Sequence, residues 1–126
     1  MEFMDYQRAA HRTAKYPVPR FTVGSGADEH TEAAPYVYPA MGLSGEAGEV
    51  ANKVKKLMRD FLGQHGSFEY DAHLDKIKDE LGDVLWYVAE LATVFDWNLG
   101  RIAEANLLKL GSRYERNVIH GDGDDR

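Results

Sequence analysis

One five-residue phrase occurs twice in this chain, as Glu46-Ala47-Gly48-Glu49-Val50 and again as Glu80-Leu81-Gly82-Asp83-Val84. Each runs acid, apolar residue, glycine, acid, valine, inside a stretch with helical periodicity. Acids three residues apart lie side by side on one helix face. A fold that uses both phrases must therefore set two helices against each other so that two carboxylate pairs meet. Four hard oxygen donors brought together this way make a site for a hard cation such as magnesium, and behind the cation for a phosphate.

At about 100° per residue, Leu43, Val50, Val54 and Leu57 cluster on one side of the first of these helices, and Glu46, Glu49, Lys53 and Lys56 share a neighbouring stripe. On the second, Ile77, Val84, Val88 and Leu91 form the apolar side, while Asp83, Tyr87 and Glu90 share the stripe with Glu80. The acids thus border the core instead of lying opposite it. Charged residues on helices usually form solvated faces, but three features count against that here. Glycine inside a helix costs about 1 kcal/mol relative to alanine, yet Gly45, Gly48 and Gly82 sit in or beside the phrases, which implies close approach by a neighbouring helix or a ligand. The phrase recurs in matching form. Lys53 and Lys56 continue the stripe past Glu49, where polyphosphate oxygens could reach them.

Around these two helices the chain reads as an all-α, four-helix bundle. A first amphipathic helix is expected from Phe3 to about Lys15, stopping at Tyr16-Pro17-Val18-Pro19. Residues 20–39 carry Gly24, Gly26, Pro35 and Pro39 and little periodicity, and read as a long loop with room for one short turn or strand. The second helix is expected from Pro39 or Ala40 to about Phe61, and the third from Tyr70 or Asp71 to Phe95 with Asp71 as its N-cap. A turn at Asp96-Trp97-Asn98 leads to a fourth helix ending near Arg116. Residues 117–126 form a polar, glycine-rich tail that composition assigns to fraying.

The length of 126 residues fits one domain spanning 1–126. No apolar run approaches bilayer length and the start, Met1-Glu2-Phe3-Met4-Asp5, lacks the basic stretch of a secretory signal. The absence of cysteine excludes disulfides and thiolate zinc sites, in keeping with a cytoplasmic protein. A net charge of −6 argues against a nucleic-acid binder. A phosphorylated small molecule remains compatible, because bound metal would reverse the local field. Val88, Leu91, Val94, Phe95 and Trp97 offer more apolar surface than one small bundle covers, so a homo-oligomer, a dimer or a dimer of dimers, is expected.

The donor set selects the metal. Di-iron carboxylate bundles use Glu-x-x-His, and none of His11, His30, His65, His73 or His120 has a glutamate three residues before it. Oxygen donors alone select magnesium, with manganese as a substitute, over zinc or iron.

Together these residues resemble the MazG-like branch of the all-α nucleoside triphosphate pyrophosphohydrolases, relatives of dimeric dUTPases, dCTP pyrophosphatases and phosphoribosyl-ATP pyrophosphohydrolase. The family pattern of E-x-x-E followed by E-x-x-D is matched by Glu46, Glu49, Glu80 and Asp83, with Gly42-Leu43-Ser44-Gly45 before the first pair and Leu85-Trp86-Tyr87 after the second. Asn106 to Leu110 followed by Arg113 resembles the family's later Asn-x-x-Lys motif, and Gly121 to Arg126 is similar to a terminal G-x-G-D-x-R of one subgroup. The interval from Glu49 to Glu80 is longer than is common in the family.

The resemblance implies magnesium-dependent hydrolysis of a nucleoside triphosphate at the α–β bond, giving the monophosphate and pyrophosphate. Glu46, Glu49, Glu80 and Asp83 would be the metal ligands, one glutamate doubling as base. Lys53, Lys56, Lys109 and Arg113 are candidate phosphate contacts. Gln7 is a candidate for the base edge, Asn106 for sugar or phosphate, and Tyr87 for the pocket wall. Two other readings stay open: a catalytically silent nucleotide-binding regulatory bundle, and a purely structural helical oligomer.

Overall fold

A computed structural model describes residues 1–123. The order is α1 (Phe3–His11), β1 (Arg20–Val23), β2 (His30–Ala33), α2 (Val37–Asp60), α3 (Phe68–Val94) and α4 (Leu99–Glu115). The central element is α3: α2 lies along it, α1 packs on it, and α4 meets α1. The buried core is small, built from Ala10, Ala89, Ala92 and Leu99 with Tyr6, Trp86 and Val88 packed around it.

The fold is helical as the periodicity requires, and the differences are at element ends and in the long connection. The first helix stops at His11, four residues before Lys15, where Thr13 N–H and Oγ1 both turn back to the Ala10 carbonyl at 2.9 and 2.7 Å. The second helix starts at Val37, because Pro39 falls in the first turn, where its missing N–H has no intrahelical partner to lose. The cap of α3 is Ser67, whose Oγ accepts the Tyr70 N–H at 3.1 Å, and not Asp71. At α4, Asn98 accepts the Arg101 N–H at 3.0 Å.

Residues 20–39 are more ordered than a loop. Arg20 to Val23 pairs antiparallel with His30 to Ala33 in the register Arg20↔Ala33 to Val23↔His30, and a short 3₁₀ turn, Gly26–Asp28, joins the strands. Gly24, at φ +80°, enters that turn, and a Cβ there would meet the Asp28 carbonyl oxygen at 2.5 Å. Both strands are almost wholly exposed, so no alternation of apolar and polar residues betrays them. In the expected C-terminal tail, Asp124, Asp125 and Arg126 lie outside the described residues.

Candidate active site

The two acidic phrases meet where α2 and α3 pack together. Glu46 from α2 and Glu80 and Asp83 from α3 each bring a carboxylate oxygen within 4.8 Å of the others. Glu49, the fourth acid, is more exposed and lies 3.8 Å from Lys53 Nζ. The same ammonium forms a close ion pair with Glu80. Lys53 therefore sits among the acids as their counterion, one helical turn beyond Glu49.

The electrostatics of the three acids are unequal. Glu46 is pushed above the ordinary glutamate range, first by burial, then by its hydrogen bond with Glu80 and by the charges of Asp83, Glu80 and Glu49. Glu80 is drawn below it, first by the Lys53 ammonium and also by the hydrogen bond with Glu46. Lys53 is raised in turn by Glu80. Two neighbouring phenols are also raised: Tyr6 by burial and then by Asp83, Tyr87 by burial and then by Tyr38, Glu46 and Asp83. Crowded acids next to one another disfavour full ionisation. Three oxygen donors from two helices with no nitrogen or sulfur among them suit a hard divalent cation.

Beside the acids opens a cleft of about 350 Å³ lined by Thr13, Glu46, Asp83, Trp86 and Tyr87. Trp86 and Tyr87 meet edge to face, with ring centroids 4.9 Å apart. The Tyr87 ring lies directly against Gly42, leaving no room there for a Cβ. Close approach within the chain thus falls on Gly42, and not on Gly45, Gly48 or Gly82, whose Cβ positions meet no described protein neighbour within 4 Å.

The chain's other predicted contacts are dispersed. Lys56 is exposed on α2. Asn106 and Lys109 line a separate surface hollow on α4 with Ile102 and Ala105. Arg113 is buried near the end of α4. Gln7 is buried too, and its amide ties three elements together: Nε2 donates to Thr93 Oγ1 at 3.2 Å and to the Trp97 carbonyl at 2.8 Å, and Oε1 accepts the Leu99 N–H at 2.9 Å. That leaves no amide group of Gln7 turned to a base edge.

The cleft also holds residues that sequence reasoning passed over. Thr13 falls inside the expected first helix but follows the observed end of α1, and Trp86 enters the sequence reading only within Leu85-Trp86-Tyr87. Outside the cleft lining, Glu90 is almost fully buried, at 1 % exposure, yet on the sequence it is one more acid on the Glu80 stripe.

A family profile, the MazG nucleotide pyrophosphohydrolase domain, matches residues 40–118, the span that carries both acidic phrases. The chain belongs to this family. It is also similar to Gene 37 protein of Mycobacterium phage L5, 47 % identical over 121 residues that cover 96 % of each chain. No solved structure matches it. As a MazG domain the chain falls in the nucleotide pyrophosphohydrolase class, and its carboxylate cluster fits the metal dependence of that class. Among the described residues no helix is long and apolar enough to cross a membrane.

Proposed function

We propose that this MazG domain hydrolyses (deoxy)nucleoside triphosphates at the α–β bond, yielding the nucleoside monophosphate and pyrophosphate, with magnesium as its cation and manganese as a substitute. The observation that carries the reading is the convergence of Glu46, Glu80 and Asp83 within 4.8 Å at the mouth of the Thr13–Trp86–Tyr87 cleft. A divalent ion held by these carboxylates, with Glu49 completing the set, would screen the phosphate charge and acidify a water.

The chain's own residues supply the rest. One of the glutamates Glu46, Glu49 and Glu80 would accept the proton that the water gives up. Lys53 neutralises Glu80 and Glu49 in the metal-free site, and its ammonium lies where an incoming polyphosphate would compete for it. Trp86 and Tyr87 give the cleft an apolar wall for the nucleoside, and Thr13 completes its lining. A role in nucleotide pool control or clearance follows from removal of triphosphates.

We also propose a homo-oligomer, a dimer or a dimer of dimers. The accessible surface is 9367 Å², whereas a compact monomer of 14.2 kDa exposes about 6,800 Å². The excess matches the area that obligate partners bury. Large apolar side chains are among those exposed: Leu107 and Leu108 on α4 are 69 % and 76 % exposed, and Trp97 56 %. Assembly would also give the α4 residues Asn106 and Lys109 a route to a phosphate in a neighbouring protomer's site.

The test is a panel of deoxy- and ribonucleoside triphosphates incubated with magnesium, with products separated by chromatography. Monophosphate and pyrophosphate are expected. Diphosphate and orthophosphate as primary products would contradict the assignment, and absence of turnover with retained binding would favour a silent regulatory bundle.

A further inference from the structure

The buried carboxylate of Glu90 has no part in the metal cluster, yet it is the largest fully buried side chain described. Taking a carboxylate out of water costs several kcal/mol unless its oxygens find donors. Glu90 finds two. The Tyr16 hydroxyl donates to Oε1 at 2.6 Å, and His11 Nδ1 lies 3.0 Å from Oε2 and 3.2 Å from Oε1. A well-packed apolar residue would fill this space at lower cost, but it could not tie down two polar groups from another part of the chain.

What those two groups bracket gives the arrangement its purpose. His11 ends α1, Tyr16 precedes Pro17, and Thr13 lies between them in a turn closed by Thr13 N–H to Ala10 O and Ala14 N–H to His11 O, at 2.9 and 3.0 Å. Thr13 is the rim of the cleft beside Glu46 and Asp83, and its Oγ1 accepts the Trp86 indole N–H at 2.8 Å. The Tyr16 ring also stacks on Tyr38, with centroids 5.0 Å apart and planes 2° from parallel. Tyr38 stands one turn before Gly42 on α2, and Gly42 is where Tyr87 rests. One buried group thus holds the Thr13 rim through His11 and Tyr16 on either side of it, and the Tyr87 wall through the tyrosine stack.

We propose that Glu90 is a positioning residue for the nucleotide cleft: through His11 and Tyr16 it holds the Thr13 rim against Trp86, over Glu46 and Asp83. This rests on reading the cleft as the nucleotide site. Because the clamp shapes the wall and touches none of the reacting atoms, it governs substrate affinity and leaves the chemical step alone.

The variant of choice is Tyr16→Phe, which keeps the ring on Tyr38 and removes only the hydroxyl that reaches Glu90. With the triphosphate turned over best, it should raise KM about ten-fold and leave kcat within about two-fold. Glu90→Gln, which still accepts from Tyr16, should stay close to wild type, whereas Glu90→Leu should match or exceed Tyr16→Phe. Thr13→Val should raise KM similarly, and the Tyr16→Phe, Thr13→Val double variant should be no worse than the worse single one, since both act on one rim. An unchanged KM in Tyr16→Phe with a lowered melting temperature, or additive effects in the double variant, would overturn the proposal. If the wild type releases no pyrophosphate, the nucleotide reading fails by itself, and the clamp is read from Trp86. In a Trp97→Phe background without metal, Tyr16→Phe should alter the Trp86 emission as its bond to Thr13 loosens. An emission spectrum unchanged by Tyr16→Phe would overturn the clamp.

Discussion

Replacing Glu46 with Gln keeps its shape and offers Glu80 a hydrogen-bond donor while removing one charge from the most crowded point of the site. The oxygens of Glu46, Glu80 and Asp83 lie within 4.8 Å of one another. Two unit charges at that distance repel by about 0.9 kcal/mol in water and by about 3.5 kcal/mol at an effective dielectric near 20. Glu46 is half-buried and Lys53 offsets part of the repulsion, so the low end applies. A net stabilisation of about 1 kcal/mol is expected for the metal-free variant, corresponding to a rise of about 3–5 °C in melting temperature for a chain of this size.

The pH dependence has a definite sign. The pKa of Glu46 is raised in the folded protein, so the wild type gains stability from this group at low pH, where it is protonated, and loses that stability as pH rises through the raised value. Gln does not titrate. The difference between variant and wild type should therefore be small near pH 4 and grow towards pH 7. Magnesium should raise the wild-type melting temperature by binding the folded state alone, and that rise should shrink in the variant. Turnover should fall by orders of magnitude. Scanning calorimetry across pH with and without magnesium, alongside a pyrophosphate-release assay, reads all of this, and Glu29→Gln on the exposed turn serves as control. A Glu46→Gln protein that melts well below wild type without metal yet keeps full turnover would refute the reasoning.

Three further outcomes are expected. Gly42→Ala should drive the Tyr87 ring from its seat and lower kcat/KM, whereas Gly45→Ala should gain about 1 kcal/mol of helix stability, because no described neighbour meets its Cβ; paired melting and kinetic measurements compare them. Gln7→Leu should lower stability by about 2–4 kcal/mol in denaturant titrations, since it strands the Trp97 carbonyl and the Leu99 N–H. Light scattering should give at least twice the 14.2 kDa chain mass, and Leu108→Glu on the exposed α4 face should reduce it; a wild-type monomer at micromolar concentration would remove the assembly.

Helical periodicity is local, and what is local can be read from the chain. Acids at i and i+3 share a face wherever the backbone is helical, so the pairing of Glu46 with Glu49 and of Glu80 with Asp83 follows from sequence, as does the placing of both pairs beside the apolar stripes of α2 and α3. The four helices follow for the same reason. Hairpin pairing depends on residues about seven to thirteen apart meeting in register, and on exposed strands no burial pattern records it, so residues 20–33 read as loop. Tertiary packing alone decided which of the acids converge, because the rotation of α2 against α3 brings Glu46 to Glu80 and Asp83 and leaves Glu49 with Lys53. It also turned Gln7 inward as a tie between α1, α3 and α4, and buried Glu90 under His11 and Tyr16. In the sequence these are a glutamine and an acid on amphipathic helices. Their roles come from partners more than seventy positions away, and the energy of a buried polar group depends on those partners and not on its own neighbours in the chain.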